Sequence, residues 1–319
     1  MIKLHSKKSL FIVLNSLLIS MFYFFFNCTS NEDEAEGSLL NMPNIRVEAS
    51  ILNNNQTGSR YSGSDYKNLS FSQNDSICIF MDGKNLGKWL LNNDVWSPIE
   101  NSIWSDTINT HVFKSFYPYN KYCCLDSVYS PSLIDQDGTL DNLKKYDLLV
   151  ASKTTSYSES KGVVSFTGEN AFKHLLSLIR INILATGEFT NATIDTFKLS
   201  SPRLFSRVIY SLNNNNFRID TSNDINEFIV SPNHNMAGKS KEYYIISTPR
   251  DTNSGIKLSI TYSNSVANKV EKSSYLTEKK LESGKIYQYN VFIREGKIEI
   301  EAPQITSWEE SSTIQEINL

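Results

Sequence analysis

Apolar and polar residues alternate along much of the chain, and a period of two predicts β-strands. From Ile45 to Ile51 every second residue is apolar, so one face of this segment is expected to pack in a core. A mostly apolar run at 76–81 ends at Asp82-Gly83, which predicts a buried strand closed by a turn. Further strand-like segments occupy 88–91, 94–96, 111–118, 148–151, 163–166, 171–185, 197–199, 207–210, 227–230, 243–247, 256–262, 286–294, 298–300 and 305–308.

Segments with the helical period are nearly absent, and short strands separated by polar turns are typical of β-sandwiches. A chain of 319 residues is long enough for two domains of ordinary size. A polar stretch at 152–162 divides the strand-rich segments into two groups. The sequence therefore predicts an all-β protein with two β-sandwich domains, an N-terminal one over residues 44–160 and a C-terminal one over residues 161–319.

The first 27 residues have the pattern of a secretory signal peptide. Lys7 and Lys8 precede an apolar run from Leu10 to Phe26, and Cys28 follows directly. This pattern is typical of a lipoprotein signal, with the Cys28 sulfur as the lipidation site. An uncleaved transmembrane anchor is the alternative, because the run reaches the lower length limit for a membrane span. Residues 28–43 then form an acidic tether.

Charge and composition exclude several classes of function. The formal net charge is −3, so the chain lacks the basic surface expected of a nucleic-acid-binding protein. Beyond the signal, the cysteines are Cys78, Cys123 and Cys124. Three thiols cannot all pair internally, and both a disulfide from Cys78 and free buried thiols fit this pattern.

No residue pattern predicts catalysis, a metal site or a cofactor. The histidines are His5, His111, His174 and His234, and none has the spacing of a metal site. His174 lies between Phe172 and Leu175, where a hydrogen-bonded strand histidine is the ordinary structure. Phosphate loops, nucleophile elbows and Cys-x-x-Cys motifs are also absent. We therefore expect a protein that is not an enzyme and carries no cofactor.

Three tryptophans, Trp89, Trp96 and Trp104, cluster in one hairpin-rich region. Exposed aromatic rings stack on sugars or on protein partners, so these residues are candidates for a contact surface. Large aromatic rings also fill sandwich cores, and the sequence leaves both roles open. The contact surface would fit a glycan-binding surface lipoprotein.

Several segments in a fixed order resemble the fimbrillin (Mfa-like) family of Bacteroidetes pilus lipoproteins. The likeness spans roughly residues 45–310 and departs from the family pattern at Asn74, where glycine is expected, and at Ser76. Its segments are the Arg60 region at 58–63, the strand Phe71 to Phe80, the Tyr-Pro-Tyr element at 113–119, Asp-Leu-Leu-Val-Ala at 147–151, the Phe-Lys-His strand at 172–181, and the closing pair 284–289 and 305–308.

The resemblance implies two transthyretin-like β-sandwich domains in a type V pilus subunit or an accessory adhesin. Its expected partners are other pilus subunits, the outer membrane through a lipid anchor, and a host protein or glycan. The acidic segment at 32–34 resembles a surface-export signal, which implies a location on the cell surface. Subunits of this family join by donor-strand exchange, in which one subunit supplies the strand that completes its neighbour.

The resemblance also implies maturation by an arginine-specific or trypsin-like protease. Two arginines are candidates, Arg46 near the start of the first predicted strand and Arg60 in the polar loop after it. A cut after Arg60 would remove the whole strand, whereas a cut after Arg46 would leave it in place, so Arg60 is the favoured site. The tail at 313–319 alternates weakly and is a weak candidate donor strand.

Overall fold

The computed structural model describes residues 42–52, 69–222, 224–238, 240–263, 269–294 and 297–308. Within them the chain is almost entirely β-structure, which confirms the predicted all-β class. The strands are β1 (Arg46–Ala49), β2 (Ser76–Met81), β3 (Lys84–Asn92), β4 (Val95–Pro98), β5 (Thr110–Tyr117), β6 (Val128–Tyr129), β7 (Leu149–Ser156), β8 (Val163–Phe166), β9 (Lys173–His174), β10 (Ser177–Ala185), β11 (Thr193–Ser200), β12 (Val208–Ser211), β13 (Asn216–Ile219), β14 (Glu227–Val230), β15 (His234–Asn235), β16 (Ser240–Ser247), β17 (Arg250–Asp251), β18 (Lys257–Ser263), β19 (Val270–Tyr275), β20 (Lys280–Leu281), β21 (Lys285–Arg294), β22 (Lys297–Ile300) and β23 (Gln304–Ser307). One short helix, α1 (Tyr157–Ser160), and 3₁₀ turns at Leu143–Tyr146, Gly168–Asn170 and Gly187–Phe189 accompany them.

The first sheet has eight strands in the order β8-β1-β4-β3-β2-β5-β7-β9. Its strand β2 is buried on both faces, because Ile77 and Ile79 enter one hydrophobic cluster while Cys78 and Phe80 enter another. A strand buried on both faces is a continuous apolar run, and this explains the uninterrupted pattern at 77–81. The cluster that contains Ile77 draws all its members from residues 45–172.

This sheet continues beyond the predicted boundary at residue 160. Strand β8 pairs with β1, and β9 pairs with β7, so the sheet ends at His174. The polar stretch at 152–162 is also not the predicted separator, since β7 continues to Ser156 against β5. There the Ser156 hydroxyl accepts the Glu159 N–H at 3.2 Å and caps α1, an ordinary role for serine before a helix.

Two further sheets pack face to face around the second cluster. One has the order β16-β10-β21-β22 with β23 beside β21, and the other has β14-β11-β18-β19 with β15 beside β11. The ring of Phe197 on β11 stacks on that of Tyr243 on β16, with ring centroids 4.4 Å apart. Small sheets β13-β12-β6 and β17-β20 complete the fold. The result is a sandwich with both inner faces in one core.

A buried glutamine covers the edge of strand β16. The side chain of Gln136 donates to Ile246 O at 2.8 Å and accepts the Ile246 N–H at 2.7 Å. The amide thus takes the place of a neighbouring strand at this residue, and Gly138 O accepts the Tyr244 N–H at 2.9 Å further along the same edge. Covering an edge in this way protects it from pairing with another chain.

Replacing Gln136 with Ala is expected to lower the free energy of unfolding by about 1–3 kcal/mol, because it leaves the Ile246 N–H and C=O without partners. Chemical denaturation monitored by circular dichroism measures this loss. Gln304→Ala serves as the control, since Gln304 is exposed and surface substitutions usually change stability by less than about 0.5 kcal/mol. Equal losses in the two variants would contradict the role assigned to Gln136.

Candidate functional site

Strand β1 lies between two strands that run in opposite directions. It pairs in parallel with β8 from Arg46↔Val163 to Ala49↔Phe166, and it pairs antiparallel with β4 at Val47↔Trp96. No connection ties β1 to either neighbour directly in sequence, since 53–68 and then β2 follow it. A strand placed in this way can leave the sheet without unthreading the rest of the chain.

The side chains of this segment alternate as the sequence predicts. Ile45, Val47 and Ile51 are 3%, 8% and 3% exposed, whereas Arg46 and Glu48 face solvent. Each buried aliphatic side chain contributes about 1.5–3 kcal/mol. The segment is therefore held by a row of apolar contacts on one face.

Backbone hydrogen bonds hold the same segment on both of its edges. Ile45 N–H donates to Ser102 O at 2.9 Å, and Leu52 N–H donates to Phe172 O at 2.8 Å. Between them, Ser50 exchanges bonds with Phe166 O and Phe172 N–H at 3.0 and 2.9 Å. We call the space that residues 43–52 occupy the first-strand slot. Emptying it would leave β4 and β8 with unpaired backbone groups and the cluster open.

The two predicted cleavage residues differ in position. Arg46 lies inside β1, where its N–H donates to Gly162 O at 3.0 Å and its guanidinium Nη2 donates to Lys161 O at 2.6 Å. Its backbone is therefore part of a paired strand. Arg60 and the predicted lipidation residue Cys28 both lie outside the described residues.

An aromatic residue that the sequence analysis did not single out sits beside the slot. The ring of Phe71 makes edge contacts with Trp96, Tyr117 and Phe172, at centroid distances of 5.2, 5.4 and 5.2 Å. The Tyr117 hydroxyl donates to Asp75 Oδ1 at 3.2 Å, and burial, with the Asp75 carboxylate, raises the pKa of Tyr117. In the sequence, Phe71 is an aromatic residue close to a predicted strand, and periodicity alone does not distinguish such a residue from one in a loop.

The three tryptophans belong to the core and not to a contact surface. Trp89 and Trp104 are fully buried and Trp96 is 6% exposed. Trp104 contacts the rings of Phe113 and Tyr157 at 5.1 and 5.7 Å. Trp89 on β3 and Trp96 on β4 face the same cluster as Ile77, and Trp104, in the connection between β4 and β5, enters that cluster with its backbone N–H donating to Pro43 O at 3.1 Å. The predicted aromatic contact surface is therefore corrected to a core, and sugar stacking on these rings has no structural support.

Three of the segments that carry the family resemblance meet at one buried cluster of side chains. His174 Nδ1 lies 2.5 Å from Asp147 Oδ2, with the two side chains 2% and 1% exposed. The His174 ring also stacks on Trp308, with ring centroids 4.0 Å apart and planes at 3°. Gly284 lies against this cluster, and a Cβ there would sit 3.2 Å from His174 O. His174 is thus the hydrogen-bonded strand histidine that the sequence predicts, and the cluster joins the first sheet to the end of the described chain.

The described residues contain three free thiols but no candidate metal site. Within them no group of three or more His, Cys, Asp or Glu side chains is arranged to hold a metal ion. Cys78, Cys123 and Cys124 are free thiols, and burial raises the pKa of Cys78 to about 12, with the Cys123 thiol adding to the effect. In the same part of the chain, no helix is long and apolar enough to span a membrane.

Comparison with known proteins gives a family and a fold. A family model described as fimbrillin-like matches residues 56–308. A Bacteroides ovatus structure assigned to cell adhesion aligns with a TM-score of 0.63 and 17% identity, covering 84% of this chain and 98% of that one. A second, from Bacteroides uniformis and also assigned to cell adhesion, aligns with a TM-score of 0.59 and 16% identity over 82% and 99% of the two chains. At these identities the structural likeness shows the fold alone. No curated protein matches the sequence significantly.

Proposed function

Because the chain belongs to the fimbrillin-like family, we propose that it is a cell-surface lipoprotein that serves as a pilus subunit or accessory adhesin and assembles by donor-strand exchange. The first-strand slot is the observation that carries the proposal. It combines three buried aliphatic side chains with backbone hydrogen bonds on both edges. The partners are other pilus subunits, and the assembly needs no catalytic residue.

Exchange follows from the way the slot is built. When β1 leaves, the buried face that held Ile45, Val47 and Ile51 meets water, and the edges of β4 and β8 lose their partners. A strand from a neighbouring subunit restores both the apolar contacts and the main-chain hydrogen bonds. An emptied subunit is therefore unstable alone and is completed by its neighbour.

The cut that frees β1 is proposed to follow Arg60. A protease needs an extended backbone free of other partners, and the Arg46 backbone is paired inside the sheet. A cut after Arg46 would also leave Val47 and Ile51 in the slot. A cut after Arg60 separates the whole segment 43–52 from β2.

Cys28 is proposed to carry the lipid that holds the protein at the outer membrane. A multiply acylated cysteine gives stable anchoring, since each buried methylene contributes about 0.8 kcal/mol. An anchor subunit would keep both Cys28 and β1, whereas a subunit inside a fibre would lose both after a cut at Arg60. The first residue of the mature chain therefore distinguishes these roles.

We expect assembled protein to begin at Tyr61 and Arg60→Ala to remain unassembled, because β1 then stays in its slot. N-terminal sequencing of shed fibres and ladders on mildly denaturing gels measure the two effects. Arg218→Ala is the control, an exposed arginine on β13 that is expected to assemble normally. A first residue at Val47 would move the cut upstream, and Cys28 in assembled fibres would rule out this route.

A further inference from the structure

The slot contains a fixed acceptor for a cation beside residue 46. Lys161 O accepts from the Arg46 guanidinium at 2.6 Å, and Lys161 is in the left-handed conformation that ends α1. The next residue, Gly162, has φ +82°, and a Cβ there would lie 2.9 Å from the Tyr157 ring. The turn is therefore held in one conformation, and it presents the carbonyl to whatever strand occupies the slot.

The contact is specific to that strand position. Arg46 N–H donates to Gly162 O, so the backbone and the guanidinium bind adjacent carbonyls of one turn. A strand shifted by two residues would place another side chain against Lys161 O and lose this bond. Glu48, which faces the same side, makes only a 3.4 Å contact with the Ser165 hydroxyl. Arg46 thus adds a contact that only this register of β1 allows.

The slot also restricts side-chain size at residue 49. Ala49 is paired with Phe166 in the parallel register, and Phe166 is fully buried. The Phe166 ring contacts the ring of Phe172, with centroids 5.7 Å apart. In parallel strands paired residues point to the same face, and the half-buried Ala49 packs against the cluster that contains Phe166. A large side chain at residue 49 would overpack this part of the cluster.

Given the proposed strand exchange, on which this inference rests, we infer that the slot selects a donor strand of the form aliphatic–Arg/Lys–aliphatic–any–small–any–aliphatic. The pattern follows residues 45–51, and each requirement comes from the residues that surround the slot. Residues 309–319 of this chain contain no lysine or arginine, so they do not meet the requirement. The occupant is therefore a strand of another molecule that carries this pattern, and not the tail at 313–319.

Peptide exchange tests the pattern on the whole chain. A specific protease site placed within 53–68 allows one cut, after which the resident strand can be displaced by labelled peptides of residues 43–52. Relative to the natural peptide, Arg46→Ala is expected to bind roughly 5- to 10-fold more weakly, because an exposed charge-assisted hydrogen bond is lost. Ala49→Leu should bind about 10-fold more weakly or worse, from overpacking.

Two matched peptides complete the test, with fluorescence anisotropy as the readout. Glu48→Ala is expected to bind within about twofold of the natural peptide, since it removes a charge without a firm partner. Arg46→Lys should recover much of the loss because it restores a cation. Equal binding of the Arg46→Ala and Glu48→Ala peptides would overturn the inferred cation requirement while leaving strand exchange intact. Failure of every peptide to enter would instead overturn the proposed exchange.

A measurement on the uncut chain tests the register contact without exchange. Arg46→Ala is expected to lower the melting temperature by roughly 1.5–2 °C, the shift that corresponds to a 5- to 10-fold loss in a chain of 319 residues. Glu48→Ala should shift it by less than about 1 °C. Identical melting of the two variants would overturn the role of Arg46, whatever the peptides do.

Discussion

Replacing Asp147 with Ala is expected to lower the free energy of unfolding by about 2–6 kcal/mol, because it leaves two buried groups, His174 Nδ1 and the Leu148 N–H, without their partner, and each such group costs about 1–3 kcal/mol. The two side chains are at most 2% exposed, and their nearest atoms are 2.5 Å apart. The His174 ring is stacked on Trp308, so it cannot turn toward water without breaking that contact. Denaturant unfolding of the full chain measures the loss.

An exposed ion pair provides the control for this prediction. Arg203 Nε donates to Asp224 Oδ2 at 2.9 Å, and the two side chains are 44% and 36% exposed. Solvent-exposed pairs contribute about 0–1 kcal/mol, so Asp224→Ala should cost far less than Asp147→Ala. Similar losses in the two variants would show that burial of the Asp147 pair does not govern its contribution.

Replacing Trp104 with Ala is expected to cost about 3–5 kcal/mol, as for other large buried aromatic side chains. The ring is fully buried and packs against Phe113 and Tyr157, so its removal leaves a cavity that its neighbours cannot fill. Tyr122→Ala is the control, because Tyr122 is 76% exposed and its loss should change stability by less than about 0.5 kcal/mol.

The same two variants test the rival function of sugar binding through the tryptophan region. If Trp104 acted as a stacking platform, Trp104→Ala would keep its melting temperature and lose affinity for a glycan. The buried position predicts the reverse, because Trp104→Ala should then be destabilised. Sugars should also fail to quench the tryptophan fluorescence of the unsubstituted protein. Unchanged stability in Trp104→Ala would contradict the core assignment.

Strand β2 was fully predictable from the sequence. Its bounds at Ser76–Met81 and the turn at Asp82-Gly83 coincide with the predicted segment, because an apolar run between a polar residue and a glycine turn has few other structures available. Strand β1 was predictable for a related reason, since alternation identifies its buried face directly. Local pattern was sufficient in both places.

The end of β7 could not be predicted from local pattern. Thr155 and Ser156 are 2% and 7% exposed, yet their polar side chains look like those of a surface loop. They are paired with His111 and Thr110 on β5, and the Thr155 hydroxyl bonds Glu159 at 3.3 Å. Buried polar residues with satisfied hydrogen bonds give no hydrophobic signal, so the polar stretch at 152–162 was interpreted as a separator.

The contacts of Arg46 in the slot and of the buried His174 could not be predicted from the sequence for a different reason. His174 and Asp147 are 27 residues apart, and Trp308 comes from the far end of the described chain. The segments that hold them could be recognised one by one, but their meeting depends on the pairing of sheets. Likewise, Lys161 as the acceptor for Arg46 follows only from the parallel register of β8 with β1.

The position of β8 has a consequence for the order in which the molecule can form. Glu48 and Ser165, which pair across β1 and β8, are 117 residues apart, and contacts between distant residues form slowly. During synthesis from the N-terminus, β1 leaves the ribosome first, but its second neighbour follows only after the whole of β2 to β7 has been made. Within the first sheet, β1 is therefore the first strand to be translated and, with β7, one of the last two inner strands to gain both neighbours.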